Sequence, residues 1–75
     1  MNNFYLVGRI AKDVKLKKEK EGIKWCTVVL AVTRPFKNYE GLYDTDFIEI
    51  TLWNSIAENT SEYCKKGDII AIRGR

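Results

Sequence analysis

Apolar and polar residues alternate most clearly across residues 44–53. Successive side chains of a strand point to opposite faces, so Ile48, Ile50 and Leu52 form one apolar row. Phe47, Glu49, Thr51 and Trp53 form the other. The first row is an ordinary core face. The second carries a large aromatic near each end, where a solvated strand normally carries Thr, Lys or Glu. Two readings are open for those rings: a platform on which flat ligands such as nucleic-acid bases stack, or a face covered by the rest of the chain or by a second subunit.

The same pattern predicts three more strands and one helix. Residues 4–10 are apolar on both faces, with Phe4, Leu6 and Ile10 on one and Tyr5 and Val7 on the other, which predicts a strand covered on both sides. Residues 13–22 are polar and turn-like and suit a hairpin connection with a charged end. Residues 25–33 form a strand with Cys26, Val28, Leu30 and Val32 in its apolar row. Trp25, Thr27, Val29, Ala31 and Thr33 form a second row, less polar than an exposed face should be. Arg34 and Pro35 are expected to end that strand, because proline cannot donate to a ladder. After the strand at 44–53, Ser55 and Glu58 have capping-box spacing. The helix they predict runs to about residue 66, with Ile56, Thr60, Tyr63 and Cys64 on one face. Lys65 and Lys66 then fall in its last turn, where they complement the helix dipole, and Gly67 ends it. Residues 69–73 are a final strand with Ile70 and Ile72 inward.

A chain of 75 residues allows one small domain, here residues 1–75, and such a domain has little core of its own. The absence of His and the wide separation of Cys26 and Cys64 argue against a metal site, and no cofactor is expected. Both cysteines sit in apolar patterns and read as buried free thiols of a cytoplasmic protein. Met1, Asn2 and Asn3 lead directly into the first strand without a basic region or cleavage site, and no apolar run approaches membrane-spanning length. Asp44 and Asp46 have no partner that would set them up as an acid–base pair, so an enzyme is not expected. The net charge of +3 permits an anionic partner. Residues 17–21, where lysines alternate with glutamates, read as a solvated hairpin tip. Residues 34–43 are different, because Phe36, Tyr39 and Tyr43 sit beside Arg34 and Lys37. Rings that stack on bases beside cations that meet phosphates suit single-stranded nucleic acid. The competing expectation is that one or two of these rings, Tyr43 first, pack down on the barrel.

Strand, strand, strand, helix, strand is the order of an OB-fold barrel up to its fourth strand, with the helix between strands 3 and 4. The sequence resembles the amino-terminal part of the bacterial single-stranded DNA-binding protein (SSB) family. The resemblance is carried by Leu6, Val7, Gly8, Arg9 and Ile10 with Lys12 and Asp13; by Leu30, Ala31, Val32, Thr33 and Arg34; and by Thr45, Asp46, Phe47 and Ile48 with Leu52 and Trp53. Ala57, Glu58, Asn59, Tyr63, Lys65, Lys66, Gly67, Arg73 and Gly74 continue it to the end of the chain. It implies a mainly β OB-fold, incomplete at its fifth strand, that binds single-stranded DNA without sequence preference in replication, recombination and repair. Phe36, Phe47 and Trp53 match the family's stacking positions. Arg9, Arg34, Lys37 and Arg73 are candidate phosphate contacts by side-chain type. The resemblance also implies a homo-oligomer, a tetramer in the family, built partly through first strands. The family's fifth strand, and the tail that recruits replication and repair proteins, have no counterpart in these 75 residues, which leaves a sheet edge open. A primosomal or RNA-binding module of the same fold, or an interaction barrel whose aromatic face is a subunit contact, are the alternatives. Trp25 has no role assigned by the resemblance.

Overall fold

Ile10, Cys26, Val28, Leu30 and Ala57 are the fully buried hydrophobic residues, and Leu6, Val14, Leu16, Val32, Ile50, Leu52, Cys64, Ile70 and Ile72 pack around them. Each buried Ile, Val or Leu side chain contributes roughly 1.5–3 kcal/mol. The structure is a computed structural model and describes residues 3–75; Met1 and Asn2, where no leader is expected, lie outside the described residues. Its elements are β1 (Phe4–Ile10), β2 (Lys17–Lys18), β3 (Lys24–Lys37), β4 (Tyr43–Trp53), α1 (Asn54–Tyr63) and β5 (Ile69–Gly74).

β3 is the spine of the sheet. It pairs with β4 from Trp25↔Trp53 to Lys37↔Tyr43, with β1 at Leu30 and Ala31, and with β2 at Lys24 and Trp25. β1 pairs in turn with β5, from Phe4↔Gly74 to Arg9↔Ile69, and every pairing is antiparallel. The helix lies between the third long strand and the last. This is a partial OB-fold, as the element order predicts. β4 has β3 as its only strand partner and β5 has β1, among the described residues. The free edges of β4 and β5 border a cleft lined by Phe4, Ile50, Leu52, Ile56, Ile72 and Arg73, among others. The accessible surface of 6152 Å² exceeds the roughly 4,700 Å² of a closed protein of this mass. That excess reflects the open edges. The radius of gyration, 14.2 Å, likewise exceeds the roughly 11 Å of a compact chain this long, because the β3–β4 ribbon projects.

Several local expectations need correction. Pro35 does not end β3, which continues to Lys37. The register shifts between Thr33 and Lys37, and a bulge accommodates a residue that cannot donate to a ladder. Residues 13–22 are more than a turn. Val14 and Leu16 pack on the core, and β2 pairs with β3 through a turn in which Glu19 N–H donates to Ile23 O at 2.9 Å.

The helix is shorter than expected and is not capped by Ser55. It starts at Asn54 with no side-chain cap, and Glu58 instead accepts from Lys24 Nζ at 2.8 Å. Asn54, with φ 54°, turns the chain out of β4 through the left-handed region that Asn tolerates. The helix's buried contact is Ala57, while Ile56 and Tyr63 of the expected inner face are exposed. α1 ends at Tyr63, so Lys65 and Lys66 lie beyond it, in a turn where Lys65 N–H donates to Asp68 Oδ2 at 2.8 Å. The chain must leave the helix there because Gly67 N–H and Asp68 O both bond the backbone of Ile10. Finally, β1 is not covered on both sides in the single chain: Tyr5 and Val7 are 67% and 51% exposed. Both cysteines are free, Cys26 buried and Cys64 half-buried.

Candidate nucleic-acid interface

Cross-strand partners share a face, so the register arranges the outer side of the sheet in rows. One row runs Trp53, Trp25, Lys17 across β4, β3 and β2. Another runs Phe47, Ala31, Arg9, Ile69 across β4, β3, β1 and β5. Between these rows lie the pairs Thr51–Thr27 and Glu49–Val29. Phe47 and Trp53 are 69% and 55% exposed. Six residues apart on one strand, they stand about 20 Å from each other. Ala31 separates Phe47 from Arg9 in that row with a small side chain.

The projecting ribbon carries the second group. Phe36 and Tyr39 line a cleft of about 450 Å³ together with Arg34, Lys37, Asn38 and Asp44. The tip is held by Asn38: its Oδ1 accepts from the N–H groups of Glu40 and Leu42 at 2.9 and 3.0 Å, and its Nδ2 donates to Asp44 Oδ1 at 3.0 Å. Gly41, at φ 78°, closes the turn. None of the three rings packs down. Tyr43, expected to do so first, is the least exposed but still more than half open, with Lys37 Nζ 5.8 Å from its ring centroid.

The candidate cations differ in how far they are committed. Arg34 forms a fork with Asp46, Nε to Oδ2 at 3.0 Å and Nη2 to Oδ1 at 3.1 Å, and its Nη1 lies 3.9 Å from Asp44. The hydrogen bond to Arg34 holds the Asp46 carboxyl below its ordinary pKa. Arg9 Nη1 donates to Gly67 O at 2.6 Å, tying β1 to the turn before β5. Arg73 pairs across from Tyr5 and lines the same cleft as Trp53. Lys37 has no carboxylate partner among the described residues. The structure thus places Phe36, Lys37 and Arg34 on the ribbon, Phe47 and Arg9 in one row of the sheet, and Trp53 and Arg73 at the cleft.

The Trp25–Trp53 contact, with ring centroids 6.4 Å apart, has no forewarning in the sequence. Periodicity puts both rings on outer faces, but only the strand register makes them partners. Among the described residues, no group of three or more His, Cys, Asp or Glu could hold a metal ion, and no helix is long and apolar enough to cross a membrane.

The sequence profile of the single-strand binding protein family matches residues 1–75. The chain belongs to the single-strand binding protein family. Similar family members include single-stranded DNA-binding protein 1 of Streptococcus pyogenes serotype M18, 44% identical over the whole chain and 58% of that protein. Single-stranded DNA-binding protein B of Bacillus subtilis is 43% identical over 99% of the chain and 66% of its own length. Single-stranded DNA-binding protein 3 of Listeria innocua is 43% identical over the whole chain and 47% of its own length. The chain therefore spans about half to two thirds of these relatives.

Proposed function

We propose that this chain binds single-stranded DNA without sequence preference, stacking bases on Phe36, Phe47 and Trp53 while cations neutralise the backbone. The observation that carries the reading is the outer face of β4, where Phe47 and Trp53 stand exposed in a chain of this family. Every base has a π-face, so stacking tolerates any sequence, and a duplex hides those faces. Lys37 is a ribbon cation with no carboxylate partner among the described residues, Arg9 shares the row of Phe47, and Arg73 serves Trp53 from the cleft. Arg34 is held back by Asp46. The role that follows is protection of exposed strands in replication, recombination and repair.

The exposed face of β1 and β5 is a second apolar surface. It carries Tyr5, Val7 and Ile69, and among the described residues β1 has no β3 partner from Phe4 to Gly8. This surface and free edge support self-association through first strands. Sedimentation over a range of protein concentrations checks it: Val7→Lys shifts the protein toward monomer while Phe47→Ala does not.

The binding test is a tryptophan-fluorescence titration with oligo-thymidine, against a duplex control. Single strands quench and duplex does not. Phe47→Ala and Trp53→Ala each weaken binding by about 1–3 kcal/mol. Unchanged affinity in both variants, with the fold intact by circular dichroism, refutes the stacking reading.

A further inference from the structure

Trp25 is half-buried in β3 and touches a functional group on each side. Across one ladder lies Trp53, with an interplanar angle of 39°. Across the other lies Lys17 of β2, whose ammonium stands 4.9 Å from the Trp25 ring centroid. Three strands thus deliver Lys17, Trp25 and Trp53 as one row. An indole face holds an ammonium through its quadrupole, and the lysine stem covers the apolar ring. The neighbouring Lys24 is neutralised by Glu58 at 2.8 Å, whereas Lys17 has no carboxylate partner among the described residues. A ring differs from a carboxylate in one respect that matters here: it fixes the cation without cancelling its charge. The β2 hairpin therefore holds a positive charge with no carboxylate partner among the described residues, one ring away from the exposed Trp53.

We propose that Lys17 is a phosphate-binding residue at the end of the DNA track, meeting the backbone beside the base stacked on Trp53, and that Trp25 is the positioning residue that sets both groups. The ligand is a phosphodiester of a single strand, so the inference rests on the proposed stacking of bases along β4. It reassigns a lysine that the charge pattern alone places on a solvated tip. It also accounts for Trp25, which holds Lys17 over its ring, neighbours Trp53, and therefore orients these two rather than stacking a base.

Titration of the 75-residue chain with oligo-thymidine over a range of salt concentrations tests this. Each phosphate neutralised on a single strand adds about 0.7 to the slope of log affinity against log salt. Lys17→Gln should lower that slope by about 0.7 and weaken binding about eight-fold at about 50 mM salt, the difference vanishing toward about 1 M. Lys17→Arg should restore the slope, and Lys66→Gln, in the turn after α1, should leave it unchanged. In a Trp25→Leu background, Lys17→Gln should lose most of its effect, a coupling that a merely structural tryptophan would not produce. An unchanged slope in Lys17→Gln overturns the phosphate contact, and an undiminished Lys17 effect in Trp25→Leu overturns the positioning role. If the wild-type chain fails to bind, or Trp53→Ala does not weaken it, the parent reading fails and takes this one with it. If Trp53→Ala weakens binding but Lys17→Gln does not, this inference fails alone.

Discussion

Asp46→Asn should turn Arg34 from a bystander into a DNA contact. In the folded chain the guanidinium is forked to Asp46 at 3.0 and 3.1 Å and lies 3.9 Å from Asp44, so its charge is more than matched by carboxylate. The pair is about half exposed, and water screens it. Removing one carboxylate charge should therefore leave the melting temperature nearly unchanged while freeing the cation. One further phosphate neutralised steepens the salt slope by about 0.7. Between about 50 and about 200 mM salt, the variant should lose about 2.6-fold more affinity than the wild type. Because the two curves converge near about 1 M, it should bind about eight-fold more tightly at about 50 mM. Fluorescence titration at four or five salt concentrations reads both quantities. Parallel salt curves would refute the reasoning: Arg34 would then lie off the path, or would already exchange Asp46 for phosphate in the wild type.

Three further outcomes follow from the core and its ion pairs. Leu30→Ala, at a fully buried position, should cost about 2–5 kcal/mol in urea unfolding, a large share of the stability of so small a fold. Gly8→Ala should destabilise β1 by about 1–3 kcal/mol, because the new Cβ would stand 2.7 Å from the backbone oxygen of Ala31, which cannot swing away; a calorimetric melt measures it. The hydrogen bond from Lys24 holds Glu58 below its ordinary pKa. Carboxylates depressed by folding stabilise above their unfolded pKa, and that stabilisation is lost as pH falls through the folded one. Melting temperature should therefore drop on acidification through that window, and Glu58→Gln should flatten the drop.

Strand interiors are readable from the sequence because one residue decides each position. The two apolar rows, Cys26 to Val32 and Ile48 to Leu52, lie inward as period two requires. The features that escape such reading are those decided by a distant partner. Glu58 looks like half of a capping box until Lys24 arrives from β3 to take it. Lys65 and Lys66 look like the end of a helix until Ile10 draws the following turn into pairing. Pro35 looks like a terminator until a bulge accommodates it. The candidate site divides in the same way. Phe47 and Trp53 are visible from alternation within one strand. The fork that neutralises Arg34 and the row that joins Lys17, Trp25 and Trp53 depend on register between strands, which composition and spacing do not encode. β1 reads as doubly covered because Tyr5 and Val7 carry large or apolar side chains, yet the single chain leaves both exposed.

The ladder from Phe4 to Gly74 has a consequence for the birth of the molecule. The β3–β4 ribbon closes over a short turn, and such hairpins form in about 1–10 μs. β1 leaves the ribosome about 60 residues ahead of its ladder partner β5. At about 5–20 residues per second, β1 waits several seconds with one edge unclaimed. Contacts this distant in sequence also form slowly once the chain is free. The nascent chain, more than the finished protein, is thus the state in which a foreign strand can take the place of β5.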